Sequence, residues 1–400
     1  MKRKIKLVFF LITVFNLTGC YNYKEINTSA IVSAISIDIN DKKPNEYEVG
    51  VQIMNAKKTE LSTNSLITFY KATDHTIYGA LQSTMLDSPK ELYLGHNGVI
   101  IINEELLKQK DPLDYLDFFM RDAKTEKDSI ILVAKDCKAY NILKIITPLE
   151  TLPSQNLKDA LFSSSKYSGI TNITTTDQFI SYLINDGEEA VLPSVRILGK
   201  ISAGENMDNI SDSDPDTKLV YDDLAVLKNN RLSFYMNVNE SIGYNIINND
   251  AGQTYINFKC GKNNYGSIKI SSSKTHEKIS FKNNKPFVKI SNKISADLIE
   301  YNCKADFLDH EKSIHKIEKQ VENKIKKVMN EALNTLYVTN KSDALKYGSK
   351  FYKMKNNQMK KLNYTTNNIK NDISFKTFSN VKIKSIELSI KSPKKEKNNE

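Results

Sequence analysis

The 400-residue chain contains no tryptophan, only four cysteines and, beyond one stretch near its start, no long apolar run. Each shortage excludes something. Cys20, Cys137, Cys260 and Cys303 lie far apart and no histidine joins them at finger spacing, so a zinc module is excluded. Four cysteines also fall short of a disulfide framework, which leaves Cys260 and Cys303 either as one bridge or as two free thiols. The 14 glycines include no glycine-rich turn after a strand pattern, which removes the dinucleotide and phosphate-loop fingerprints, and no other cofactor motif is present. No second run reaches the roughly 20 apolar residues that cross a bilayer.

What is present begins with Lys2, Arg3, Lys4 and Lys6 ahead of the apolar residues 7–17. This is the layout of an export signal, too short for a membrane span. It closes on Leu17-Thr18-Gly19-Cys20, which resembles a bacterial lipobox. Residues 1–19 therefore read as a removed signal peptide and Cys20 as the lipidation site, the mature N-terminus carrying a diacylglycerol on its thiol. At about 0.8 kcal/mol per buried methylene, two acyl chains hold a protein on a membrane where one does so marginally. Removing residues 1–19 leaves 53 basic residues against 47 acidic ones. That surplus is mild and reads as spread along the chain, so an exported protein of this kind is not expected to bind nucleic acid.

Hydrophobic patterning divides the remainder. Residues 20–202 mix strands and helices: AIVSAISIDI and YEVGVQIM read as an opening hairpin, DHTIYGALQSTM as a helix capped by Asp74, and GVIIIN and SIILVAKD as buried strands. AVLPSVRIL reads as a strand whose Pro193 favours an edge or a bulge. Residues 203–217 have almost no apolar content and read as a linker. Residues 218–392 begin with strand patterns, from LVYDDLAVLK and RLSFYMNV to KPFVKISNKISADLIEY, alternating apolar with Lys, Ser and Asn as in an antiparallel sheet with one wet face. A helix over 312–337 carries one apolar stripe, Ile314, Ile317, Val321, Ile325, Val328, Ala332 and Leu336, and a late strand at VKIKSIELSI is placed to complete the sheet. Residues 393–400 read as a disordered tail. The expected class is α+β and multi-domain, a mixed α/β N-terminal region followed by an antiparallel sheet covered by a long helix.

Little in the sequence points to catalysis. Ser163 with Lys166 and Ser271 with Lys274 match a Ser-x-x-Lys spacing, but the supporting motifs of that chemistry are missing. His75, His96, His276, His310 and His315 form no ligand pattern, and Gly95-His96-Asn97-Gly98 reads as a turn. Asp212, Asp214, Asp216 and Asp223 fall on calcium-loop positions, yet Thr217 replaces the required glycine and Pro215 interrupts the loop. No catalytic residue and no metal ligand is assigned, and a binding or assembly protein is the expectation.

The residues resemble a known family, the C-subunit lipoproteins of spore germinant receptors (the Ger(x)C or GerAC family). The likeness starts at the lipobox and Cys20-Tyr21-Asn22-Tyr23-Lys24-Glu25-Ile26, similar to the family's Cys-Trp-Asp start, and runs through AIVSAISIDI and YEVGVQI. Its most specific stretch is GHNGVIIINEELLKQKDPLDYLDFFMRDAKTEKDSIILVAKD. Later, LAVLKNNRLSFYMNVNESIGYNII resembles the family's second-half hairpin, and Asp343-Ala344-Leu345-Lys346-Tyr347-Gly348 stands where Asp, two hydrophobic residues and Gly-Phe-Gly are usual. Tyr21 replaces the usual aromatic after the cysteine, and Lys346 and Tyr347 replace Gly and Phe. The resemblance implies a protein lipid-anchored on the outer face of the spore inner membrane, working with A- and B-type integral-membrane subunits to sense nutrient germinants. A solute-binding lipoprotein of a transporter is the competing class. It shares the anchor, but is built from two lobes of alternating strands and helices around a cleft, often lined with tryptophan.

Labelling with a fatty-acid analogue is expected to mark the protein at Cys20, and Cys20→Ala is expected to abolish both label and membrane retention. Unchanged labelling in that variant would show the anchor to be elsewhere.

Overall fold

The stretch SAIVSAISIDI is strongly apolar and weakly alternating, and in the computed structural model it forms a strand buried on both faces, β1 (Ser29–Ile39). The structure describes residues 29–54, 67–122, 124–150, 152–211, 213–303 and 311–386; Cys20, residues 1–19 that read as a signal peptide, and residues 393–400 lie outside them. After β1 come β2 (Tyr47–Met54), β3 (Ile67–Asp74), β4 (Glu91–Tyr93), β5 (Val99–Asn103), β6 (Ile130–Ala134), β7 (Val191–Leu198), β8 (Lys218–Val220), β9 (Leu224–Lys228) and β10 (Arg231–Met236). They make one sheet in the order β10-β9-β7-β6-β5-β1-β2-β3, with β4 beside β1 and β8 beside β7. Because β5 and β6 are apolar at every position, both faces need cover. On one face Ile100, Ile102 and Val133 meet Leu81, Leu106, Leu116 and Phe179 from four helices (Ile77–Thr84, Glu104–Gln109, Leu113–Arg121 and Thr176–Ile184). On the other, Val99, Ile101 and Leu132 meet Ile142, Leu157 and Leu161 of Ala139–Lys144 and Pro153–Ser163.

Three local expectations change. The strands β9 and β10, expected in the second sheet, join the first: LAVLK is buried with almost no alternation, which suits an interior place between β7 and β10 rather than a sheet with one wet face. Pro193 is not on an edge, since β7 lies between β6 and β9, but it sits where pairing changes hands. Pairing to β9 ends at Pro193↔Leu224 and pairing to β8 starts at Arg196, so the missing N–H falls near a gap in the ladder. Thr76, not Asp74, caps the helix Ile77–Thr84, accepting the Gly79 N–H at 3.0 Å.

The second sheet consists of β11 (Tyr255–Lys259), β12 (Tyr265–Lys282), β13 (Lys285–Tyr301) and β14 (Ser374–Ile386), in that order. Asn283 and Asn284, at φ of 50° and 62°, make the tight turn that lets β12 and β13 run as one long antiparallel hairpin. The late strand does complete the sheet, entering parallel to β13. Val288, Ile290, Ala296 and Leu298 point inward onto the helices Val238–Asn248 and Glu311–Leu333. Those helices cross closely because Gly243 has no side chain: a Cβ there would collide with the Val328 carbonyl. The stripe expected on the long helix is buried at Ile317, Val321, Ile325, Val328, Ala332 and Leu336. The same helix shields the open edge of β14, where Glu322 accepts the Val381 N–H at 3.3 Å and Glu318 the Ile383 N–H at 3.1 Å. Cys260 and Cys303 form a disulfide with Cα atoms 6.2 Å apart, closing the alternative of two free thiols.

The two sheets meet at a buried polar joint. Asp343, 1% exposed, accepts the Tyr337 hydroxyl at 2.6 Å and the N–H groups of Tyr347 (2.8 Å) and Gly348 (2.6 Å), so it satisfies the start of the helix Tyr347–Lys361. Its own N–H donates to Glu189, just before β7, and Glu189 is paired with Lys370 at 2.5 Å. The Tyr347 hydroxyl donates to Glu277 of β12, which also pairs with Lys350. Lys346 adopts the left-handed conformation (φ 61°) in which a glycine is easiest, and its ammonium lies 3.5 Å from the Tyr182 ring centroid. Burial pushes the Asp343 carboxyl up to about 6, with the Glu189 charge adding to the push and the three donors opposing it.

The stretch read as a linker overlaps the helical turn Ile201–Gly204 and contains a second, Asp208–Ser211. Asn209 holds them, donating to the carbonyls of Ile146 (2.9 Å) and Thr217 (3.0 Å) and accepting the Thr217 N–H (3.0 Å). Limited proteolysis is expected to nick residues 205–216, and to do so roughly an order of magnitude faster in Asn209→Ala, which loses these bonds. A second expectation concerns the joint. A carboxyl whose folded pKa lies above its unfolded value takes up a proton on folding, so its stabilising contribution grows as pH falls through about 6 towards 4 and is smallest above 6. Asp343→Asn should cost about 2 kcal/mol because an amide cannot accept at both ends. The stability gap to the wild type, measured by denaturant unfolding, should be wider at pH 5 than at pH 7; an equal gap would refute the titration.

Candidate functional site

Open parallel sheets bind ligands beyond the carboxyl ends of their strands, at the point where strand order reverses. Here β1, β5, β6 and β7 are parallel neighbours that follow one another in a single direction, so no reversal opens a crevice among them. The charged groups at those ends are taken up by one another. Asp38 accepts the N–H groups of Ala139 (2.7 Å) and Tyr140 (2.9 Å) and so caps the helix Ala139–Lys144, while burial pushes its carboxyl up to about 6. Glu104 accepts the Asp136 N–H at 2.7 Å and the Tyr235 hydroxyl at 2.9 Å; burial raises its pKa, but these bonds and Lys108 outweigh burial and hold it below the usual range. Lys138 donates to the Ile39 carbonyl, and Lys135 pairs with Asp223. The free Cys137 thiol is pushed up to about 12 by burial, so it stays protonated at neutral pH and is no nucleophile.

The other sequence candidates are not brought together. Ser163 ends the helix Pro153–Ser163, and Lys166 lies over the Tyr167 ring. The Ser271 hydroxyl donates to Asp297 at 2.7 Å. His315 faces Glu318 at 2.8 Å on the long helix, whereas His276 is on β12, His75 is near the Asn45 carbonyl and His310 lies outside the described residues. Of the aspartates in calcium-loop positions, Asp214 pairs with Lys218 and Asp223 with Lys135, and Asp212 lies outside the described residues. Among the described residues no group of three or more His, Cys, Asp or Glu could hold a metal ion, and no helix is long and apolar enough to cross a membrane.

A cleft of about 890 Å³ opens where β1 begins. Ile31 of β1, Met54 of β2, Leu81, Tyr93 of β4 and Phe118 line it, with Arg121 and Lys124 at its rim. Tyr78 packs on Phe118 with ring centroids 5.4 Å apart, and Arg121 is held by Asp117 at 2.6 Å. His96, Glu91 and Asp122 also line it, and an apolar wall with a few polar groups suits the binding of a ligand. Ser29, at its mouth, is nine residues from Cys20, a span of about 30 Å when fully extended. Its walls come from five separate elements, so no single motif announces it, although Gly95, His96, Arg121 and Asp122 of the lining belong to the stretch from GHNG to MRD singled out above.

Known proteins match this architecture along nearly its whole length. Residues 22–197 match the family described as spore germination protein N-terminal domain, and residues 222–387 the family described as spore germination B3/GerAC like, C-terminal. Spore germination protein KC of Bacillus subtilis (strain 168) is 28% identical over 379 residues, 91% of this chain and 91% of that protein. Spore germination protein B3 of the same strain is 24% identical over 170 residues, 42% of this chain and 44% of that protein. The crystal structure of the GerBC protein shares the fold, with a TM-score of 0.56 at 17% identity over 88% of this chain and 96% of that one. Two matches that run from before β1 to the end of β14 place the chain in the GerAC family of spore germination proteins, to which it belongs.

Proposed function

We propose that the protein is a lipid-anchored, non-catalytic subunit of a nutrient germinant receptor, held through Cys20 on the outer face of the spore inner membrane and working with A- and B-type integral-membrane subunits. The observation that carries this reading is the family match across both sheets, with the lipobox at Cys20 standing ahead of it. The mutually satisfied groups at the parallel strand ends support a binding role over a catalytic one. The solute-binding alternative is weakened by the second sheet, whose core is a long antiparallel hairpin rather than a second lobe of alternating strands and helices.

Deleting the gene is expected to abolish or weaken nutrient-triggered germination while leaving growth and sporulation largely intact. Confinement to a membrane raises effective concentration beside integral partners, so Cys20→Ala should support germination less well even when the protein is folded and present. Normal germination in the deletion strain, with failed uptake of one nutrient that the purified protein binds tightly, would transfer the assignment to the solute-binding class.

A further inference from the structure

The outward face of the second sheet is basic in a way that ordinary solubility does not require. Register sets Lys278 of β12, Lys289 of β13 and Lys376 of β14 directly abreast, and all three are exposed. Two rows along, Lys274 and Lys293 oppose each other. Between these rows Phe378 stands 39% exposed, with the ammonium groups of Lys289 and Lys376 lying 4.8 and 5.3 Å from its ring centroid. Like charges directly across a ladder repel, and serine or asparagine would keep a wet face soluble without that penalty. No ion pair among the described residues relieves these five lysines. The nearby Glu277 is turned inward to Lys350, and Glu318 meets Lys382 at the sheet edge.

The chain as a whole is polarised in the same sense. Residues 29–217 hold 18 Lys and Arg against 28 Asp and Glu, whereas residues 218–400 hold 34 against 18. The modest overall surplus conceals two halves of opposite sign.

The geometry points to an anionic lipid surface as the partner of this face. The lysines stand exposed in cross-strand rows on one sheet face, which suits a laterally uniform field of phosphates better than the pocketed surface of an acidic protein. Phe378 is the apolar group at the centre of the patch, placed to enter the headgroup layer as the ammoniums meet phosphates. The acidic half is repelled by the same surface, so the field orients the molecule as well as holding it. The choice of a bilayer over an acidic protein rests on the membrane location proposed above; attraction through the lysines does not depend on Cys20.

Residues 21–400, which hold every described element of the fold and carry no lipid, are suited to sedimentation with vesicles of phosphatidylglycerol or of phosphatidylcholine. Binding is expected to phosphatidylglycerol alone and to fade as salt rises from about 0.1 M to about 0.5 M. Each lysine near an anionic surface is worth about fivefold in affinity, so Lys278→Gln, Lys289→Gln and Lys376→Gln together should weaken binding on the order of a hundredfold. That triple variant should melt no lower than wild type, because it relieves repulsion. Lys42→Gln, Lys127→Gln and Lys200→Gln, which remove the same charge from exposed positions outside the second sheet, should leave binding unchanged. Failure of the wild type to bind phosphatidylglycerol, equal binding to phosphatidylcholine or an equal loss in the second triple would each overturn the inference. So would a photo-crosslinker at position 289 that, in spore membranes, captures an acidic protein instead of lipid. Since no lipid is attached, failure here leaves the Cys20 assignment standing.

Discussion

The carboxylate of Asp343 fixes where the two sheets sit, because its side chain and its backbone work in opposite directions along the chain. The side chain gathers Tyr337 and the first N–H groups of the helix Tyr347–Lys361, closing the turn that leads out of the long helix. The backbone N–H points away to Glu189, at the entrance to β7. Glu189 and Lys370 are both largely withdrawn from water, so moving the sheets apart would strand buried charges, which costs far more than the pair contributes when intact. The joint therefore acts less as a source of stability than as a specification of one arrangement. Lys346 shows how closely the turn is determined: it keeps the left-handed backbone that glycine would adopt freely, and the Tyr182 ring receives its ammonium.

A second constraint follows from how the second sheet ends. Placing β14 parallel to β13 leaves its other edge open, and the long helix closes that edge with two carboxylates one turn apart, Glu318 and Glu322. Their burial is tolerable because each oxygen finds a donor: His315, Lys319 and Lys382 supply the donors that the strand does not. Acidic groups are thus concentrated at the covered edge while basic ones collect on the open face. Bond satisfaction explains the edge but says nothing about the face, since no described carboxylate pairs with its central lysines.

Much of the fold was legible from periodicity. The opening hairpin, the buried strands β5 and β6, the long amphipathic helix and the late strand all follow from apolar spacing, and the two-sided burial of β5 is visible in GVIIIN itself. What escaped depended on partners distant in sequence. LAVLK looks the same whether it starts a second sheet or finishes a first; only the unfilled place beside β7 decides, and that place is made by Val191, Leu192 and Pro193, far earlier in the chain. The helix Val238–Asn248 was hidden because its capping box, Asn237 with Glu240, followed directly on a strand pattern. The lysine rows were invisible for a similar reason: the excess of basic residues after residue 217 can be counted in the sequence, but only cross-strand register aligns them. The proposed anchor is the reverse case, a local pattern in residues 7–20 that lies outside the described structure.

These constraints bear on how the proposed subunit can work. A two-lobed solute binder closes over its ligand because a hinge lets the lobes approach, and hinge residues must tolerate a change in backbone angle without leaving buried groups unpaired. Here the connection between sheets is paired at every charged member: Glu189 with Lys370, Glu277 with Lys350 and Tyr347, and Asp343 with three donors. Opening it would break several of these at once, a barrier that an ordinary ligand's differential affinity would have to overcome. On the proposed reading, the subunit therefore acts as one body, presenting the cleft near β1 and the basic face of the second sheet in a fixed relation. A change in a membrane partner would then reach both surfaces together, and any signal would pass as a displacement of the whole molecule rather than as a closure within it.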